Sequence, residues 1–319
     1  MNSTLSGVSL QVFSLIGSTI LSSGVLMNLL VVGATCQKGS KLREKANALI
    51  CALAVADLGC CLGYNQSQLN IWLGWLPMSQ LTCFYTMAPA IFFGTLSNLL
   101  LAAVTFDRFF LIYFPLKYQS MQKRNRYVTF FLLPSSLTAI LIVLIAWSNG
   151  STKLEVFICT VPMALAGFSL VTMLGLIYLL VLLIISLNLA IFYRSCTRHG
   201  SHGTSNRKAK QRRLGRSVAV LSLLYCITYV SAVVIVGLVE NAPINRTVAA
   251  QLLLYNGLGP YVNVSVNGAV YGLRSKEHRR EYRRLLKDLV PKWTKSGLVA
   301  PTTTKSPPRK EGPVRLQKF

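Results

Sequence analysis

Seven apolar stretches, each long enough to cross a bilayer and joined by short polar connections, dominate this chain. A spanning helix needs about 20 mostly apolar residues, because hydrocarbon offers backbone N–H and C=O groups no partner except one another. The stretches cover residues 8–36, 46–71, 80–113, 126–147, 163–194, 213–240 and 247–272. The third and fifth exceed what a bilayer requires and are expected to tilt or protrude into the cytoplasm. Charged residues form 13% of the chain, against about one-quarter in a soluble domain. The expected fold class is all-α: a seven-transmembrane helix bundle. No internal repeat is visible, which counts against an inverted-repeat transporter.

A net charge of +24 raises the question of nucleic acid, and the distribution of that charge answers it. If alternate connections face the cytoplasm, 31 of the 33 Lys and Arg residues lie inside, and only Lys153 and Arg246 face out. This asymmetry satisfies the positive-inside rule and puts the N-terminus outside the cell, the C-terminus in the cytoplasm and the protein in the plasma membrane. A nucleic-acid binder needs a basic face on a soluble fold, and none is available here. The first ten residues carry no Lys or Arg, so no signal peptide is read and the first helix is expected to insert by itself.

Four regions follow: an extracellular N-terminus (1–7), the seven-span domain (8–272), a membrane-surface helix (273–290) and a disordered basic tail (291–319). In the third region Leu273, Leu285, Leu286 and Leu289 alternate with Arg, Lys and Glu. That pattern is too polar to span and reads as a basic amphipathic helix on the lipid of the inner leaflet. The tail is rich in Pro and Thr and lacks the apolar residues of a core.

Eight cysteines occur without CxxC pairs or metal-ligand spacing. Six fall in helices or at cytoplasmic ends and are expected to be reduced. Cys83 and Cys159 both fall at the outer face and can form a disulfide. Glycosylation sequons at Asn2, Asn149 and Asn245 lie on outer segments; those at Asn65 and Asn263 lie within spans.

Polar groups inside a membrane are costly and mark functional positions. Asp57 is the only acidic residue deep within a span, and Asn28, Ser97, Asn263 and Asn267 are its candidate partners. Asn263 and Asn267, spaced i, i+4, share a helix face. The group reads either as hydrogen-bonded helix packing or as a small cation or proton site, with sodium the expected ion. Asp107 and Arg108 lie at the cytoplasmic end of the third span, where an ordinary snorkelling pair would also fit.

Taken together these positions resemble a rhodopsin-like G-protein-coupled receptor, from Asn28 to about Leu286. Asn28 matches that family's first-helix asparagine, and Leu53-Ala-Val-Ala-Asp57 its second-helix LAxAD. Cys83 precedes Arg108 by 25 residues, the family's spacing from disulfide cysteine to DRY arginine. Asp107-Arg108-Phe109 stands for DRY, and Pro115-Leu116-Lys117-Tyr118 follows it. Asn267-Gly268-Ala269-Val270-Tyr271 stands for NPxxY. The resemblance implies a Cys83–Cys159 disulfide, an extracellular ligand, a heterotrimeric G-protein partner and no enzymatic activity. In overall style the chain is similar to the nematode serpentine chemoreceptors, with a chemosensory cue or a peptide as ligand. The resemblance also implies an activation switch in which Arg108 changes partners while Tyr229 and Tyr271 reorient. Ala90, Ile91, Gly94, Tyr229, Tyr255 and Tyr261 would face the ligand.

Several positions depart from the family pattern. Gly268 replaces the seventh-helix proline, and Thr228-Tyr229-Val230-Ser231 replaces CWxP on the sixth helix. Asn188 stands for the fifth helix's inner tyrosine. Gln211 stands for the inner carboxylate that pairs with the DRY arginine, amid Lys210, Arg212 and Arg213. Amine receptors carry Asp at the position of Ala90 and opsins a retinal-binding Lys at that of Tyr261, so neither ligand is expected. Two other readings accommodate some of these features: an ion-coupled transporter or channel centred on Asp57, and a non-signalling assembly subunit with the same fold.

Overall fold

A computed structural model describes residues 7–37, 45–123, 127–156, 158–165, 167–197, 222–232, 234–235, 238, 246–274 and 276–289. In chain order the helices are α1 (Gly7–Cys36), α2 (Lys45–Trp72), α3 (Gln80–Tyr113), α4 (Pro115–Lys123), α5 (Tyr127–Ser148), α6 (Val161–Ala164) and α7 (Phe168–Thr197). They continue with α8 (Ser222–Ala232), then α9 (Arg246–Asn256), α10 (Leu258–Arg274) and α11 (Lys276–Leu289). Two short strands, β1 (Met78–Ser79) and β2 (Glu155–Val156), pair antiparallel with Met78 opposite Val156.

Five helices, α1, α2, α3, α5 and α7, are long and apolar enough to cross a membrane. With the shorter apolar α8 and the α9–α10 pair they make the expected seven-transmembrane bundle. Helix α3 is its axis: α2, α5, α6 and α7 all pack on it, and most of its inner half is buried. By contrast α5 and α7 turn Leu137, Leu141, Leu179, Leu182 and Leu189 outward, as lipid-facing helices must. Lipid tails are as apolar as these side chains, so close packing and polar bonds hold such helices together. Small residues supply the close packing. A Cβ on Gly63 of α2 would lie 2.6 Å from the backbone nitrogen of Ala90 on α3. Hydroxyls within the spans, including Thr105, Ser135, Thr138 and Ser186, bond the carbonyl four residues back, so each is satisfied within its own helix.

Two of the expected spans are interrupted. The fifth does not run from 163: α6 ends at Ala164, and Gly167 turns the chain at φ +47 before α7 begins. That left-handed conformation suits glycine, which has no Cβ to clash. The seventh is broken at Gly257 between α9 and α10. The last helix, α11, has the strongly amphipathic character expected of residues 273–290. Leu285 packs against Gly33 of α1, Tyr282 donates to the Gly268 carbonyl at 3.3 Å, and Arg279, Arg280, Arg283 and Arg284 are exposed.

Candidate functional site

At the outer face a disulfide joins Cys83 of α3 to Cys159, with the two Cα atoms 5.4 Å apart. The β1–β2 ladder lies beside it. The Gln80 N–H donates to the Leu154 carbonyl at 2.8 Å, and Gln80 Oε1 accepts from the Ser151 N–H at 3.3 Å. Ser79 caps α3 by accepting from the Thr82 N–H at 3.2 Å. The loop between α5 and α7 is thereby held over the outer end of α3.

Of the six residues expected to face a ligand, only some converge. Tyr261 of α10 accepts from Gln68 Nε2 of α2 at 2.9 Å and lies 4.7 Å from the Tyr64 ring. Phe13 of α1 bridges Tyr261 and Tyr255, with both ring separations at 6.2 Å. Tyr229 of α8 points inward to α3. Ala90 and Gly94 instead abut α2, at Gly63 and Cys60. Ile91 is buried among Cys83, Met87 and Ile142 of the α3–α5 core. These three lie on the sides of α3 that neighbour α2 and α5. Small and branched residues on α3 read alike whether they face a neighbour or a cavity, and the sequence carries no sign of which.

Midway through the bundle Asp57 is fully buried. It accepts from the Ser97 hydroxyl of α3 and, at 2.5 Å, from Asn267 Nδ2 of α10. Both donors are neutral. Asn28 of α1 donates through Nδ2 to the Val264 carbonyl at 3.0 Å, while its buried Oδ1 has no hydrogen-bond partner among the described residues. Asn263 is buried one turn before Asn267. A carboxylate taken out of water needs a compensating charge or a proton. The Asp57 carboxylate and the Ser97 hydroxyl bonded to it are hard oxygen donors of the kind a small cation prefers.

At the inner end Asp107 accepts from the Tyr118 hydroxyl of α4 at 3.4 Å and from the Tyr127 hydroxyl of α5. Burial and the adjacent Asp107 charge push the Tyr118 phenol well above its ordinary pKa, keeping it a donor. Arg108 Nε lies 3.4 Å from Asp107 Oδ2. The Arg108 side chain is 3% exposed, and among the described residues its Nε and Nη2 make no hydrogen bond. Phe109 stacks on Tyr113 at 4.4 Å. Asn188 donates to Ile184 O of its own helix at 2.7 Å, so its amide is turned back onto α7. Gln211, Asn2 and Asn245 lie outside the described residues, as does the Tyr271 side chain. Asn149 is exposed just after α5.

A bundle of seven spans with a disulfide-pinned outer loop, a buried carboxylate at its centre and an Asp–Arg pair at its inner end defines a G-protein-coupled receptor. The defining pattern of the serpentine type 7TM GPCR chemoreceptor Srsx family matches residues 21–286, and the chain belongs to that family. It is also similar to galanin receptor type 2 of Rattus norvegicus, 26% identical over 296 residues covering 84% of this chain and 73% of that receptor. The Homo sapiens galanin receptor type 2 is likewise 26% identical, over 294 residues covering 84% of this chain and 70% of its own length. The sequence resemblance to serpentine receptors is thus borne out, and the family is one of receptors rather than enzymes.

Proposed function

We propose that this receptor lies in the plasma membrane with its N-terminus outside, binds a chemosensory ligand in its outer half and activates a heterotrimeric G protein at its inner face. The observation that carries this reading is Arg108, a buried guanidinium at the cytoplasmic end of the central helix that is ion-paired only with the adjacent Asp107 and whose Nε and Nη2 make no hydrogen bond among the described residues. Buried charge in such a state is expensive, and a G-protein contact on opening would relieve it. The polar side chains that converge in the outer half, Tyr64, Gln68, Tyr255 and Tyr261, are phenols and an amide, which favours a neutral ligand. The basic face of α11 suits the anionic lipid of the inner leaflet.

The test is nucleotide exchange on purified G proteins, with panels of volatile, lipid and peptide ligands that include galanin, for which the similar receptors are named. A ligand-evoked response should vanish in Arg108→Ala while surface expression persists. A tag before Asn2 should stain on intact cells, and one after Phe319 only after permeabilisation. Ligand-evoked ion current or uptake without exchange would favour the transporter reading instead.

Sodium at Asp57 belongs to the same proposal. Asp57 and Ser97 would hold the ion, with Asn28 Oδ1 as a further oxygen. Replacing choline by sodium at about tenfold the dissociation constant should raise stability by ~1.4 kcal/mol, read as a shift in melting temperature. Asp57→Asn keeps the shape and removes the charge, so its melting temperature should not respond to sodium. A variant as responsive as the wild type would leave Asp57 a packing role alone.

A further inference from the structure

Ser97 and Asn98 are consecutive on α3 yet serve different helices. Ser97 donates to Asp57 of α2, whose other carboxylate oxygen binds Asn267 of α10. Asn98, itself 3% exposed, meets Tyr229 of α8. Its Nδ2 lies 3.1 Å from the phenol oxygen, and that oxygen lies 3.3 Å from Oδ1. The amide can therefore both donate to the phenol and accept from it. The Tyr229 ring is packed 4.5 Å from Tyr225, one turn further in. Neighbouring residues on a helix diverge by about 100°, which lets one step of α3 address both the carboxylate cluster and α8.

Among the described residues α8 makes no other side-chain hydrogen bond to α3. Residues 195–239 contain no Asp or Glu, so that whole segment, α8 included, offers Arg108 no carboxylate. We propose that Asn98 is the positioning residue that holds α8 in the closed bundle, through the Tyr229 hydroxyl, and links it through Ser97 to the Asp57 cluster. This rests on the receptor reading above. Moving α8 away from α3 strands a buried phenol and a buried amide, and an unpaired buried polar group is costly. A ligand whose own hydrogen-bonding group replaces Asn98 at the phenol removes the phenol's share of that penalty in the open state alone. Such differential binding is what a shift of population requires. The ligand class that follows is a neutral molecule bearing a hydroxyl, carbonyl or amide that reaches Tyr229.

Two readouts test this on the full-length receptor: ligand-free nucleotide exchange per surface receptor, and the rate at which N-ethylmaleimide alkylates half-buried Cys226 of α8. The alkylation uses a background of Cys36→Ser, Cys51→Ser and Cys196→Ser. Tyr229→Phe and Asn98→Leu should each raise both rates about three- to tenfold, the effect of losing one buried neutral hydrogen bond. The double variant should be no higher than either single, because the bond is one unit. Tyr229→Phe alters one atom and keeps the test decisive even if Asn98→Leu fails to reach the surface. Wild-type rates in Tyr229→Phe, or additive rises in the double variant, would overturn the proposal. If the wild type drives no G protein, the receptor reading fails, while the alkylation rates still decide whether Asn98 restrains α8.

Discussion

Serine at Cys83 or at Cys159 should remove most of the receptor from the cell surface, and serine at both should do no further harm. The bridge closes a loop of 76 residues, for which chain-entropy arguments give ~4.5 kcal/mol. That figure is an upper bound here. Helices α3 and α5 remain threaded through the membrane when the outer loop detaches, so the unbridged state is already restrained, and about 2–4 kcal/mol is expected. A loss of that size consumes a large part of the stability typical of a folded domain. It also frees the segment bonded to Gln80 and paired with β1. Flow cytometry on an N-terminal tag and a thermal melt in detergent read the two consequences separately. Losses that add in the double variant would mean that the cysteines act independently.

How far this site could be read in advance depended on what kind of signal each residue carries. Span three is bounded by polar residues and emerges at the expected 80–113. Asp57 stands out because an ionisable group in an apolar run is costly and needs partners, and two of its candidate partners, Ser97 and Asn267, do bind it. Asn98 sits beside Ser97 in the same apolar run, and a lone neutral amide there is equally compatible with local helix packing and with a bond across the bundle. The Gln68–Tyr261 bond and the Tyr127–Asp107 bond join residues more than a dozen positions apart. Only the relative rotation of helices determines such pairs, and periodicity is nearly blind to rotation when a helix is apolar all round. The resemblance that put Ala90, Gly94 and Ile91 toward a ligand carries no information on rotation either, and in the bundle Ala90 and Gly94 neighbour α2 while Ile91 packs with α5.

The departures from the receptor pattern also acquire physical content. Tyr229 stands where the family has tryptophan, and its hydroxyl finds Asn98. A phenol oxygen and an amide form a bond that can be exchanged for one to a ligand, which an apolar contact cannot. Gly268 stands where the family has proline, and its surroundings show why the helix was built without a ring there. On one side it touches α1, and on another its carbonyl accepts from Tyr282 of α11.

Restoring that proline should therefore damage the receptor rather than improve it. A Cβ at Gly268 would lie 2.7 Å from the Met27 carbonyl oxygen and 2.8 Å from its carbon. Both are backbone atoms of α1, which no side-chain rotation can move aside. Gly268→Ala alone should cost about 1–3 kcal/mol by overpacking. Gly268→Pro adds the loss of the N–H that bonds four residues back and a ring clash with the carbonyl of Val264, ~3 kcal/mol or more in a helix interior. That carbonyl is also the acceptor for Asn28 Nδ2. Pushing α1 outward to relieve Met27 would stretch the Asn28 bond as well, because the two residues are neighbours on α1. The expected order of melting temperature and surface level is wild type, then Gly268→Ala, then Gly268→Pro, with the proline variant largely retained inside the cell. Gly175→Ala is the control, since a Cβ there meets nothing within 4 Å, and it should behave as wild type. A proline variant that reached the surface and melted with the wild type would mean that α1 and α10 have room between them, and that the glycine is not there to allow their approach.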